Sequence, residues 1–138
     1  MKIEYRPAGS GTYSVLADEA DTTLAPAISG FQPAFCLTAQ VTPAYGAAVP
    51  VALDLGNANW KLAFTVERQH ASADTALAFI QAEPLKFTGN QDLRITVGAQ
   101  ITYLANCVRT EVTPDPHSDQ SSKIRYAFGY GSYKTTAP

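Results

Sequence analysis

The sequence predicts a mainly β fold: an antiparallel β-sandwich or partly closed barrel with one packed α-helix. Three observations carry that expectation. Period-two alternation recurs in separate stretches, 60–67, 93–97 and 124–130, as strands with one face on a core require. Nine prolines, nine glycines and only 16% charged residues suit a turn-rich chain. A single helical pattern, 72–82, stands among the strands. A chain of 138 residues is long enough to bury a real core as one domain, 1–138.

In chain order, 2–6 alternates and reads as a first short strand or an N-terminal arm (1–10), and Pro7, Gly9 and Gly11 read as a turn. Tyr13, Val15 and Ala17 continue as a second strand. Residues 24–33 carry Pro26, Gly30 and Pro33 with little pattern and are expected to be a loop. Phe35, Leu37, Ala39 and Val41 alternate as a strand; 43–50 is an Ala-, Gly- and Pro-rich loop; Val51, Leu53 and Leu55 form another short strand. Segment 51–67 is expected to fold as a hairpin or bent pair.

The stretch 60–89 organises the chain. Trp60, Leu62, Phe64 and Val66 share one face of a strand, and 68–71 is expected to break the alternation. Ser72 is a good N-cap, with Asp74 in the first turn where the helix dipole favours an anion. Ala73, Ala76, Leu77 and Ile80 fall on one helical face. Pro84 ends the helix, and Gly89-Asn90 opens a turn. Leu93, Ile95 and Val97 alternate, 98–99 is a break, and 101–112 is a long strand. Its faces are Ile101, Tyr103, Ala105 and Cys107 on one side, and Leu104, Val108 and Val112 on the other. Two apolar faces imply cover on both sides or a bulge. Residues 114–122 form a polar loop, and Ile124, Tyr126, Phe128 and Tyr130 lie on the last strand before a tail, 134–138. The expected core is therefore Trp60, Leu62, Phe64, Val66, Leu77, Ile80, Tyr126 and Phe128.

Charge excludes some functions. The net charge is -2 with no basic patch, so direct sequence-specific nucleic-acid binding is not expected. No apolar run reaches 18 residues, so no membrane span is expected, and 1–6 lacks the apolar stretch of a signal peptide. Cys36 and Cys107 lie in apolar runs and read as buried free thiols, since two cysteines do not by themselves establish a disulfide.

Catalytic signals are weak. His70 stands at a strand–helix junction but no nucleophile or carboxylate is tied to it by a motif, so it reads as a loop histidine. Asp115, His117 and Asp119 alternate in a Pro-rich segment that reads as an exposed turn rather than a metal site. Asp18, Glu19 and Asp21 lack calcium-loop spacing and read as a solvated loop. Trp60, Tyr126 and Tyr130 could form a sugar platform, but their strand parity favours packing. No catalytic, cofactor-binding or metal residue is assigned.

The second half of the chain resembles the phage tail-tube and distal-tail superfamily. The matching pieces are 60–68, 72–82, 89–97, 101–112 and 124–133, in the order strand, helix, strand, long strand, final Tyr/Phe-Gly strand. The run 64–76 is similar to one found in short minor tail proteins of phages and prophages. The resemblance covers about half the chain at the level of pattern. It implies a non-catalytic structural subunit of a tube, distal-tail or neck ring. Such a subunit would assemble in a host bacterial cytoplasm, reside in the virion tail, and contact itself and neighbouring tail proteins. A closed, sixfold ring is expected, with Ala44, Tyr45, Gly46, Val49, Val51 and Leu53 as candidate inter-subunit residues. The alternative is a monomeric carbohydrate-binding β-sandwich module.

Overall fold

The computed structural model describes residues 1–33, 40–43, 50–54, 60–115, 120–130 and 132–137. The elements are β1 (Lys2–Pro7), β2 (Ser14–Asp18), β3 (Ala27–Pro33), β4 (Gln40–Pro43), β5 (Pro50–Asp54), β6 (Trp60–Gln69), α1 (Ala73–Ala82) with a following 3-10 turn (Glu83–Lys86), β7 (Gln91–Val97), β8 (Gln100–Pro114), β9 (Ser121–Tyr130) and β10 (Ser132–Lys134). The large sheet is antiparallel and eight-stranded, in the order β2-β1-β7-β8-β9-β6-β3, with β10 also on β8. Among the described residues it does not close into a barrel. The fold is β-sandwich-like with one helix.

β8 belongs to both leaves. Its first half pairs with β7 and β10, its second half with β9. The inward residues of the two leaves meet in one cluster: Ile3, Leu93, Ile95 and Leu104 from the first, Leu62, Phe64, Val66, Ile124, Tyr126 and Phe128 from the second. Phe87, after the 3-10 turn, is wedged between them, with ring centroids 5.0 Å from Tyr5, 6.0 Å from Tyr126 and 5.6 Å from Phe128. Offset and edge-on contacts at these distances add to the area each ring buries.

β8 contains the bulge. Gln91 faces Cys107 and Leu93 faces Leu104, so Ala105 and Asn106 together oppose Asp92. Asn106 adopts φ 53°, and its N–H donates to Asp92 Oδ1 at 3.1 Å. Leu104 and Cys107 have opposite parity in sequence, yet the extra residue turns both inward. Burial and the nearby Asp92 charge push the Cys107 thiol up to about 12. Cys36 lies outside the described residues.

Several expectations need correction. Residues 27–33 are not loop but an edge strand; β3 pairs with β6 across a bulge at Gly30, whose φ of 61° a glycine adopts without strain. Segment 51–67 is not a hairpin: β5 pairs with β4, while β6 lies between β3 and β9. The first strand is an interior strand rather than an arm. The polar loop is shorter than 114–122, because β8 runs to Pro114 and β9 starts at Ser121. The tail begins later, since Lys134 is in β10.

Ser72 caps α1, its Oγ accepting from Thr75 N–H at 3.2 Å. The buried helix face is not the expected one. Leu77 is 55% exposed and Ala73 is exposed; Ala76 is buried, Phe79 and Ile80 pack against the core, and Glu83 continues that stripe. The stripe 76, 79, 80, 83 has the same helical spacing, rotated by three residues, because the polar Glu83 has a buried partner. Side-chain burial of Trp60 lies outside what is described. No described helix is long and apolar enough to cross a membrane.

Candidate functional site

Of the candidate inter-subunit residues, Ala44, Tyr45, Gly46 and Val49 lie outside the described residues. Val51 and Leu53 are in β5, opposite Thr42 and Val41 in β4. Among the described residues β4 and β5 pair with each other and with no strand of the large sheet. That hairpin is the candidate interaction element. Among the described residues the main strand order ends at β2 and β3, with β10 a further short edge on β8; β2 and β3 carry one charged residue between them, Asp18.

Beneath α1 lies a buried polar cluster that the sequence reading missed. Alternation does not stop at Val66: Arg68 and His70 continue the inward parity, 2% and 6% exposed. Arg68 donates through Nη1 to Tyr126 Oη at 3.1 Å and through Nη2 to the Leu16 carbonyl at 2.7 Å. Tyr126 donates to Glu83 Oε1 at 2.9 Å. Lys86 Nζ stands 2.9 Å from Glu83 Oε2, an ion-pair distance off the line of a hydrogen bond, so that oxygen is compensated in charge without being hydrogen-bonded. The Arg68 guanidinium lies 4.8 Å from the Phe79 ring centre. Burial drives the Tyr126 phenol well above its ordinary value, so it remains a donor. Burial of this kind is tolerable only because each charge has partners.

His70 lies in the short loop between β6 and α1, as expected, but its side chain is buried. Its Nε2 is 2.7 Å from Ser122 Oγ, its N–H donates to the Gln120 carbonyl, and its ring lies 5.0 Å from Phe79. Ser122 is 0% and His70 6% exposed, so this Ser–His contact is enclosed in the core. Burial, then the Arg68 charge, lowers its pKa below 6.5. Asp115 is exposed at the end of β8; His117 and Asp119 lie outside the described residues. Asp18 and Asp21 accept from Ala20 and Thr23 N–H in local turns. Among the described residues no three metal-ligating side chains converge. Tyr126 and Tyr130 are buried in the core and offer no sugar platform.

A second polar group covers the outer face of the first leaf. Arg94 forks onto Glu4, at 2.6 and 2.8 Å, and this hydrogen bonding holds the Glu4 carboxyl below 4.5. Asp92 works against its own burial: N–H groups of Gly9 and Asn106 and the Arg6 guanidinium outweigh that cost and keep its pKa below 3.8. The guanidinium carbons of Arg6 and Arg94 lie 4.6 and 4.4 Å from the Tyr13 ring centre.

These shifts fix the pH dependence of stability. His70, Glu4 and Asp92 all bind protons less readily folded than unfolded, so stability rises with pH through each window. The melting temperature should start to fall as pH drops below 6.5 and fall faster below 4.5. His70→Gln should flatten the first stage and leave the second. A flat profile down to 4.5 in the wild type would show that His70 accepts a proton freely in the fold.

The fold and these surfaces define a β-sandwich-like domain with a self-paired hairpin. No protein-family model and no curated protein matches the chain in sequence.

Proposed function

We propose that this chain is a non-catalytic structural subunit of a phage tail or tail-like injection machine, joined head to tail into a closed ring, sixfold in its expected form. The observation that carries the reading is the β4–β5 hairpin, which among the described residues pairs only with itself. A two-stranded hairpin is marginal in water alone, so a neighbouring subunit is its natural support. Two nearly uncharged edges, β2 and β3, add to this, since soluble proteins ordinarily charge, cover or pair such edges. A heterologous contact repeated around a ring can use both ends of each subunit and still close. The one-helix β-sandwich agrees with the architecture that the tail-tube resemblance implies.

Native mass spectrometry and electron microscopy test the proposal at high micromolar concentration, with and without co-expressed genomic neighbours. Rings are expected for the full chain. Deleting residues 44–48 should weaken ring formation while the domain keeps its melting temperature. A strict monomer under all these conditions would overturn the proposal in favour of a monomeric carbohydrate-binding module.

A further inference from the structure

We propose that the cleft between the β1–β2 turn and the β8–β10 pair binds a six-membered sugar ring bearing a carboxylate. The cleft is about 270 Å³, and its walls include Arg6, Tyr13, Tyr103, Leu104, Asn106 and Lys134. That volume suits one ring rather than an extended chain. Asp92 also lines the cleft, with both carboxylate oxygens already engaged by Gly9, Asn106 and Arg6. That engagement matters twice. It removes the one acidic group from competition for a ligand, and it neutralises Arg6. Lys134 then remains as the uncompensated cation of the cleft, since its ammonium pairs with no carboxylate among the described residues.

The remaining polar groups can all donate hydrogen bonds, and the phenols and the amide can accept as well. Tyr13 and Tyr103 contribute phenols, Lys134 an ammonium and Asn106 an amide. Burial raises the Tyr13 phenol above its ordinary value, so it stays protonated. A donor-rich cleft with one net positive charge selects a monoanion that offers acceptor oxygens. The half-buried Tyr103 ring supplies the apolar surface on which the C–H face of a sugar can rest, since two guanidiniums already sit against Tyr13 and Leu104 is buried in the core. The rim is also fixed in advance: Ala8 N–H donates to the Asn90 carbonyl at 3.1 Å, and Gly9 N–H is held by Asp92 at 3.0 Å. Little ordering is left to oppose binding.

None of the residues that line the cleft belongs to β4 or β5, so its test is read separately from assembly. NMR titration of the full chain with glucuronate, glucose and acetate, followed at the Gly9 and Asn106 amides, reads it directly. Glucuronate should bind, with glucose and acetate at least about tenfold weaker. Lys134→Met, an exposed position, should reduce glucuronate to the level of glucose, and Tyr103→Ala should weaken both sugars. Acetate binding as tightly as glucuronate would overturn the sugar assignment. Glucuronate binding unchanged in Lys134→Met, or absent in the wild type up to its solubility limit, would overturn the proposal as a whole.

Discussion

Phe64→Ala should destabilise the protein by about 3–5 kcal/mol, the range for emptying an aromatic site in a packed core. Phe64 is 1% exposed and sits at the centre of the second leaf. Its ring stacks on Tyr126 at 5.2 Å and on Phe128 at 6.4 Å, and meets Phe31 of the edge strand β3 at 6.4 Å. Alanine would leave a void bounded by three rings that are themselves anchored, so collapse around it is limited. The edge strand would also lose one of its attachments to the core. Urea denaturation gives the measurement, with Leu77→Ala as the surface control at a change within about 0.5 kcal/mol. Equal midpoints for the two variants would place Phe64 outside the cooperative core.

Arg68→Met should cost about 3–5 kcal/mol, because it removes one partner from a buried charged cluster and leaves the others in place. The Leu16 carbonyl and the Tyr126 hydroxyl each lose a donor, and Glu83 is left with Lys86 as its compensating charge. Arg68→Met combined with Tyr126→Phe should cost less than the sum of the two single changes, since the hydroxyl that Arg68 leaves without a donor is removed with it. A double variant as unstable as the sum of its parts would show that the two residues do not act as one unit.

Strand pattern was legible where one face is purely apolar. Leu62, Phe64, Val66, Tyr126 and Phe128 alternate in sequence and are buried. The reading failed where a polar residue takes a core position. Arg68 and His70 look like the end of a strand because hydropathy cannot register a buried charge with partners 52 and 58 residues away. The same blindness misplaced the helix face, because Glu83 counts as polar and Leu77 as apolar whatever surrounds them. β3 was invisible for a different reason: an edge strand needs only one paired side, so it tolerates Gly30 and Pro33. The bulge in β8 left a trace, apolar residues on both parities, although the trace did not say which residue was extra. Of the candidate site, Val51 and Leu53 could be placed on a strand from their alternation. The cleft beside Asp92 could not be seen, since it joins residues near 6, 92, 104 and 134.

The position of β1 governs the order in which the chain can fold. β1 is an interior strand, flanked by β2 and β7, and its register with β7 joins Ile3 to Ile95 and Arg6 to Asp92. The β1–β2 hairpin can form as soon as it is made. Its other side must wait until β7 has left the ribosome, with α1 and most of the second leaf already synthesised. Contacts of such long sequence separation close slowly, and the waiting hairpin presents an open strand edge in the meantime. During synthesis the β1–β2 hairpin thus carries an unpaired edge until β7 follows it.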